Sequence, residues 1–370
     1  MRISQSFTRV KGTNVFWKND HFWVVALMVI GVVLRLWCLW SRDLWHDEIY
    51  QFTSMKGAFK PFWQHHTYGD HTAFPGEYLL HYPFVQIFGM NKWALAIPHM
   101  LFMAWGFWLL YALCRIWGMG VAGVIAAFVV YVFNGNLIFH ALEFRPYAVL
   151  PVLAMASLYF SERILSGAFK EWRGWQTAFW GILFVFGMGY HAYGFLIMGL
   201  PFLYAFLDRK FFRGGLRIEL SGGIGFFLGL VILLGGVIWV WYASFSNMGL
   251  SSNMIEQARP DVFEFIENPL VAPHLFMGRT FANLVRSIPG YVLVLLAIGS
   301  FLGACQEKGR RAFFFIGMVL LPIMLIFAVD LLNHYWFLHR QFVWVMPFMA
   351  LWIGWCLDEF SKILKQRTMP

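Results

Sequence analysis

The run Arg42-Asp43-Leu44-Trp45-His46-Asp47-Glu48 sets two adjacent carboxylates just beyond a long apolar stretch that ends at Trp40. Carboxylates are costly to keep desolvated beside a membrane without a partner, and two readings follow. One is a solvated loop start, with Trp40 and Trp45 as interface anchors. The other is a general base, Asp47 with Glu48 next in line, placed where a lipid head group lies. A second group, His140-Ala141-Leu142-Glu143-Phe144-Arg145-Pro146-Tyr147, falls between two later apolar runs. Either Arg145 and Glu143 pair with each other, or Arg145 faces a phosphate, which its planar fork of donors suits. A third group, His339-Arg340 through Pro347, opens the last apolar run, where Arg340 either snorkels or meets the same anion. The fourth runs from Asp70-His71 through Pro75 and Glu77 to His81. With His65, His66 and His46 it is rich in imidazole, but the spacing follows no familiar metal-ligand pattern. No metal is therefore expected to be required, although a divalent cation is compatible with these histidines.

The elements that must position these groups are membrane helices. Of 370 residues, 60% are hydrophobic and 13% charged, and mean hydropathy is +0.62. Soluble chains are about 45–50% apolar and 25% charged, so a water-soluble enzyme and a disordered chain are both excluded. The 41 Phe, 19 Trp and 14 Tyr suit aromatic belts at two interfaces. Apolar runs at 22–40, 93–114, 119–138, 146–164, 175–190, 194–207, 220–245, 282–304, 313–330 and 341–358 predict an all-α polytopic protein of about 10 spans, with 9–13 compatible. The stretch 75–90 is apolar but carries Glu77, His81 and Pro83. Leaving it as an in-plane juxtamembrane helix puts most of the 28 Lys and Arg, including the clusters 209–217 and 308–311, on the side of both termini. That is the positive-inside pattern; a full span at 75–90 would invert it. The expectation is a single integral membrane domain over 1–370, with extracytoplasmic loops at 41–92 and 246–281. Arg35, inside the first run, is expected to snorkel outward. Cys38, Cys114, Cys305 and Cys356 lie in or at the ends of apolar runs and form no metal motif. No small-residue cleavage site follows the first run, which reads as an uncleaved helix.

Together these motifs resemble the membrane glycosyltransferases of the C superfamily, nearest the protein O-mannosyltransferase-like group with the lipid A aminoarabinose transferases. Arg35 followed by Trp45-His46-Asp47-Glu48 is similar to that group's helix-end Arg and Trp-x-Asp-Glu. Asp70-His71 through His81, then Lys92-Trp93 through Pro98, resembles its next conserved stretch. Glu143-Phe144-Arg145-Pro146-Tyr147 looks like its Ala-Arg-x-Tyr turn, and Arg340 to Pro347 like its late Arg-Tyr…Pro element. The chain departs from the pattern at His71-Thr72-Ala73-Phe74-Pro75, where the group has His-Pro-Pro, and at Gln341, where Tyr is usual.

The resemblance implies an inverting transfer of a sugar from a polyprenyl-phosphate donor to a glycan, lipid or protein acceptor on the outer face of a bacterial inner membrane. Asp47 would serve as base, with Glu48 as the second candidate. Arg145, Arg340, His71, Glu143 and Tyr147 would line the donor phosphate. Membrane lipids are expected partners and nucleic acid is not. A polyprenyl-linked glycan ligase or polymerase is the alternative, although the segment 246–281 holds only Arg259 and Arg279 of the arginines such an enzyme would show. A secondary transporter is less favoured, because the ionisable residues gather at one interface and no repeat is visible. The topology has a direct test on a background without the four cysteines. An impermeant thiol reagent added to intact cells should label Ile255→Cys and spare Phe212→Cys; the reverse pattern would overturn the orientation.

Overall fold

The structure is a computed structural model that describes residues 20–44, 48–49, 75–89, 91–165, 174–191, 193–213, 309–325 and 339–368, with isolated positions at 53, 55, 58, 59 and 235. Asp47, His46, His65, His66 and His71 lie outside the described residues, as do the expected spans 220–245 (save Gly235) and 282–304 and the loop 246–281. The side chain of Arg340 lies outside them too.

Ten α-helices follow one another among the described residues, and no strand occurs there. They are α1 (Asp20–Trp40), α2 (Pro75–Phe88), α3 (Lys92–Ile116), α4 (Val121–Phe133), α5 (Gly135–His140), α6 (Leu150–Leu165), α7 (Gly174–Met188), α8 (Gly194–Asp208), α9 (Arg310–Phe315) and α10 (Met346–Thr368). The protein is thus the polytopic helical membrane fold that composition demanded. Among the described residues four stretches are long and apolar enough to cross a bilayer: Asp20–Trp40, Lys92–Ile116, Pro146–Leu165 and Phe342–Gln366. The 14 residues of α2 are too few to span, which suits a juxtamembrane helix.

Each helix shows why its residues form it. On α1 the buried positions Val24, Leu27, Gly31, Arg35 and Leu39 recur every three or four residues and define one inward stripe. Val25, Val29, Val33 and Trp37 face away from the protein. Helix α3 starts where the Asn91 side chain accepts from the amides of Trp93 and Ala94, at 3.0 and 2.9 Å. Helix α6 is buried on nearly every side, which makes it the centre of the bundle.

The expected single helix over 119–138 is broken. Asn134 adopts an extended conformation, ending α4, and its side chain caps α5 by accepting from Leu137 N–H at 3.0 Å. The break leaves carbonyls of the last turn of α4 without helical partners. Arg35 takes them: it donates to Tyr131 O at 3.2 Å and Val132 O at 3.4 Å, and to Gly31 O on its own helix at 3.0 Å. Its guanidinium also lies against the rings of Phe107 and Tyr131. Arg35 is therefore 2% exposed and does not snorkel, correcting the expectation from sequence.

At the end of the bundle that holds the start of α1 and the end of α10, arginines meet acids from other helices. Arg115 pairs with Asp20 at 3.1 Å, Arg209 with Glu162 at 3.1 Å, Arg310 with Asp208 at 2.6 Å and Arg311 with Glu359 at 3.4 Å. These are the positions that the positive-inside argument grouped on one side. The polar turns following α1, α5 and α7 gather at the opposite end.

The broadest helix contact joins α4 to α10. It depends on Gly123 and Gly354, where backbones meet as in other small-residue membrane contacts. A Cβ on Gly123 would lie 2.6 Å from Asp358 Cβ and 2.8 Å from Gly354 O. Gly123→Val should therefore destabilise the protein by about 1–3 kcal/mol through overpacking, read as a lower thermal midpoint in detergent. Val29→Ala, on the outward face of α1, should leave the midpoint nearly unchanged.

Candidate active site

The segment that follows α1 is pinned as soon as it leaves that helix. Lys92, at the start of α3, donates to the carbonyls of Leu39, Trp40 and Arg42 at 3.3, 3.4 and 3.2 Å. A cation there meets the negative end of α1. Two residues past α1, Arg42 forms a fork-to-fork pair with Glu48: Nη1 to Oε2 at 2.7 Å and Nη2 to Oε1 at 2.9 Å. Arg42 also donates to Leu142 O at 3.2 Å, and Phe144 N–H donates to Glu48 Oε1 at 2.7 Å. Burial by itself would lower the Arg42 pKa, but the bonds and charge of Glu48 more than offset it and hold the guanidinium above its ordinary value.

Glu48 is completely buried, with both carboxylate oxygens engaged. That geometry suits an anchor and not a proton acceptor, so the candidate base from this cluster is Asp47, its neighbour in the chain. The anchor also ties the 42–48 segment to the backbone one residue before Arg145. Arg42 and Glu48 are thus not part of a solvated loop start, whereas residues 45–47, Asp47 among them, lie outside the described residues.

The turn after α5 is built from its own sequence. Glu143 pairs with His140, three residues back. Among the described residues its partner is His140 and not Arg145, so the alternative of an Arg145–Glu143 ion pair falls away. Arg145 N–H donates to Glu143 O at 2.8 Å, and Arg145 is extended, leading into a 3-10 turn at Pro146–Ala148. Proline is favoured at the first position of such a turn. Tyr147 is buried, its ring 5.9 Å from that of His140 and 5.8 Å from that of His191. The 3-10 turn His339–Val345, which carries Arg340, packs against α5 and against the Pro146–Ala148 turn. A cavity of about 20 Å³ lies where they meet, with Arg35, His140, Tyr147 and Val343 in its wall. That is room for about one water. The backbone thus brings the turns of Arg145 and Arg340 together.

Behind this turn lies a polar cluster of which sequence reasoning found only part. Glu77 and His81 share one face of α2, and His99 approaches from α3, its Nε2 3.2 Å from Glu77 Oε1. The Tyr190 hydroxyl donates to Glu77 Oε2. Burial pushes the Glu77 carboxyl up to about 7, against the opposing pull of His81 and Arg145, and pushes the His81 imidazole down to about 4. The E-x-x-x-H spacing on α2 is visible in the sequence. A lone His99 in an apolar helix gives no such signal.

Residues 71–241 match the family model described as dolichyl-phosphate-mannose-protein mannosyltransferase. No curated protein matches the chain. The matched stretch contains α2 through α8, and with them Glu77, Glu143, Arg145 and Tyr147. The match covers a little under half of the chain and, together with the all-helical membrane architecture, supports a membrane glycosyltransferase of the C type.

The Arg42–Glu48 pair gives a test of this framework. Arg42→Met leaves a fully buried carboxylate without its counter-charge and should cost about 3–5 kcal/mol. Glu48→Gln keeps an acceptor for Phe144 N–H and leaves behind an arginine that reaches solvent, so its cost should be smaller. Equal losses of thermal stability in the two variants would contradict the assignment of Glu48 as the buried anchor.

Proposed function

We propose that the protein transfers a sugar from a polyprenyl-phosphate donor to an acceptor hydroxyl or amine on a glycan, lipid or protein, at the extracytoplasmic face of the membrane. Asp47 is the base. It draws the proton from the acceptor as the acceptor atom forms a bond to the anomeric carbon. The bond from that carbon to the phosphate oxygen breaks, the polyprenyl phosphate leaves with the electron pair, and the anomeric centre inverts. Arg145 and Arg340 receive the growing charge on the departing phosphate, as fixed cations do where charge develops.

The observation that carries this reading is the bond from Phe144 N–H to Glu48. It fastens the neighbour of Asp47 to the neighbour of Arg145, although about a hundred residues separate them in the chain. A base and a phosphate-binding cation must flank one sugar, and a link between their chain neighbours is in keeping with that requirement. Tyr147 and His140 back the turn and fix its shape.

Turnover of a purified polyprenyl-phosphate sugar in detergent tests the proposal. Asp47→Asn should lose about 10²–10⁴-fold in rate while keeping the parent's thermal midpoint. Arg145→Lys and Arg340→Lys should both be impaired, since lysine keeps the charge but loses the two-pronged geometry. The Glu143→Gln, Arg145→Gln double variant should stay defective. Activity of Asp47→Asn within a few-fold of the parent would remove Asp47 from the role. Rescue in the double variant would return Arg145 to a structural part.

A further inference from the structure

The transfer chemistry above makes no use of Glu77, His81 and His99. The first two stand one turn apart on α2, and His99 lies in the second turn of α3. None is more than 1% exposed. One oxygen and two ring nitrogens, one from each side chain, lie within 4.8 Å of one another. His99 Nε2 is 3.2 Å from Glu77 Oε1, and His81 Nδ1 is 3.5 Å from the same oxygen. In a tetrahedral site with bonds near 2.0–2.1 Å, adjacent donor atoms stand about 3.3 Å apart. Two sides of the triangle already have the length that a central ion demands.

The cluster is also short of hydrogen bonds. Glu77 Oε1, His81 Nε2 and both ring nitrogens of His99 are sealed from water and make none. The 3.2 Å approach of His99 to Glu77 lacks hydrogen-bond alignment. Buried polar atoms are nearly always satisfied, and four orphans in one place call for a ligand. The remaining oxygen of Glu77 accepts from the Tyr190 hydroxyl. Such an outer partner is what orients a metal-binding carboxylate.

We infer that Glu77, His81 and His99 form a binding site for one divalent ion of the zinc type. Two imidazoles and a carboxylate suit zinc and its first-row neighbours, whereas calcium and magnesium favour oxygen-only shells. His81 now donates Nδ1–H to the Glu77 carbonyl at 2.9 Å. The ion displaces that proton, or takes Nε2 after a turn of the ring. Three protein ligands leave a fourth position for water or another oxygen donor. The ion joins α2 to α3 and, through Tyr190, to the turn after α7. Gly76 N–H already donates to Gly189 O in that turn, at 3.2 Å. None of this depends on the sugar donor or on the roles of Asp47 and Arg145.

The full-length protein, purified in detergent without chelator, should carry about one zinc per chain. After stripping and reloading with cobalt(II), it should show the visible ligand-field bands of a four-coordinate centre. Glu77→Gln and His99→Ala should lose the metal and the bands, and Tyr190→Phe, which keeps all three ligands, should weaken affinity by about 10–100-fold. The unaltered protein tests the site even if a variant fails to fold. Absence of zinc after reloading together with absence of cobalt bands would overturn the inference. So would full occupancy in folded Glu77→Gln and His99→Ala.

Discussion

A carboxylate with no access to water must be matched, and the organisation of the site end follows from how Glu48 is matched. Among the described residues its two oxygens accept from two separate parts of the chain: the guanidinium of Arg42 and the amide of Phe144. Removing either party leaves an uncompensated charge or an unsatisfied buried group, so the arrangement is far more costly to break than it is favourable to form. Its worth is in specificity. It fixes the exit of the chain from α1 relative to the turn after α5, and Lys92 reinforces the same exit from a third helix.

The two ends of the bundle use charge differently. At the basic end, acids and bases from different helices meet in simple pairs, such as Arg310 with Asp208 and Arg209 with Glu162. Those pairs consume their charges. At the site end, one oxygen of Glu143 meets His140 and one oxygen of Glu77 meets the Tyr190 hydroxyl. The two ends thus differ in the kind of partner that their buried acids meet.

Much of this was legible in the sequence because its signals are local. Apolar length gave the helices, and Arg145-Pro146-Tyr147 announced a turn because proline favours its first position. The lysine and arginine distribution grouped Arg115, Arg209, Arg310 and Arg311 on one side, and the structure sets these four at one end of the bundle. What stayed hidden depends on contacts distant in the chain. Arg42 and Glu48 lie six apart and could be seen as a pair, but nothing local reveals that Phe144 completes it. His99 resembles any buried histidine until α2 is laid against α3. The break at Asn134 escaped notice because asparagine within an apolar run is ambiguous until its side chain is seen capping α5.

Arg35 has a bearing on how the protein is assembled. When α1 enters the bilayer during synthesis, the helix that will satisfy its guanidinium has not yet been made. At a helix centre such a residue costs about 2.5–3.5 kcal/mol to insert; Arg35 is five residues short of Trp40, close enough for its head to reach the interface at that stage. Only when α4 arrives, nearly a hundred residues later, do the carbonyls of Tyr131 and Val132 replace water. Outward snorkelling then describes a stage in biogenesis, and the buried arginine describes its completion. The first helix is held in the membrane by its apolar surface but is committed to its final rotation and depth by a later one, which makes the order of synthesis part of how this site is built.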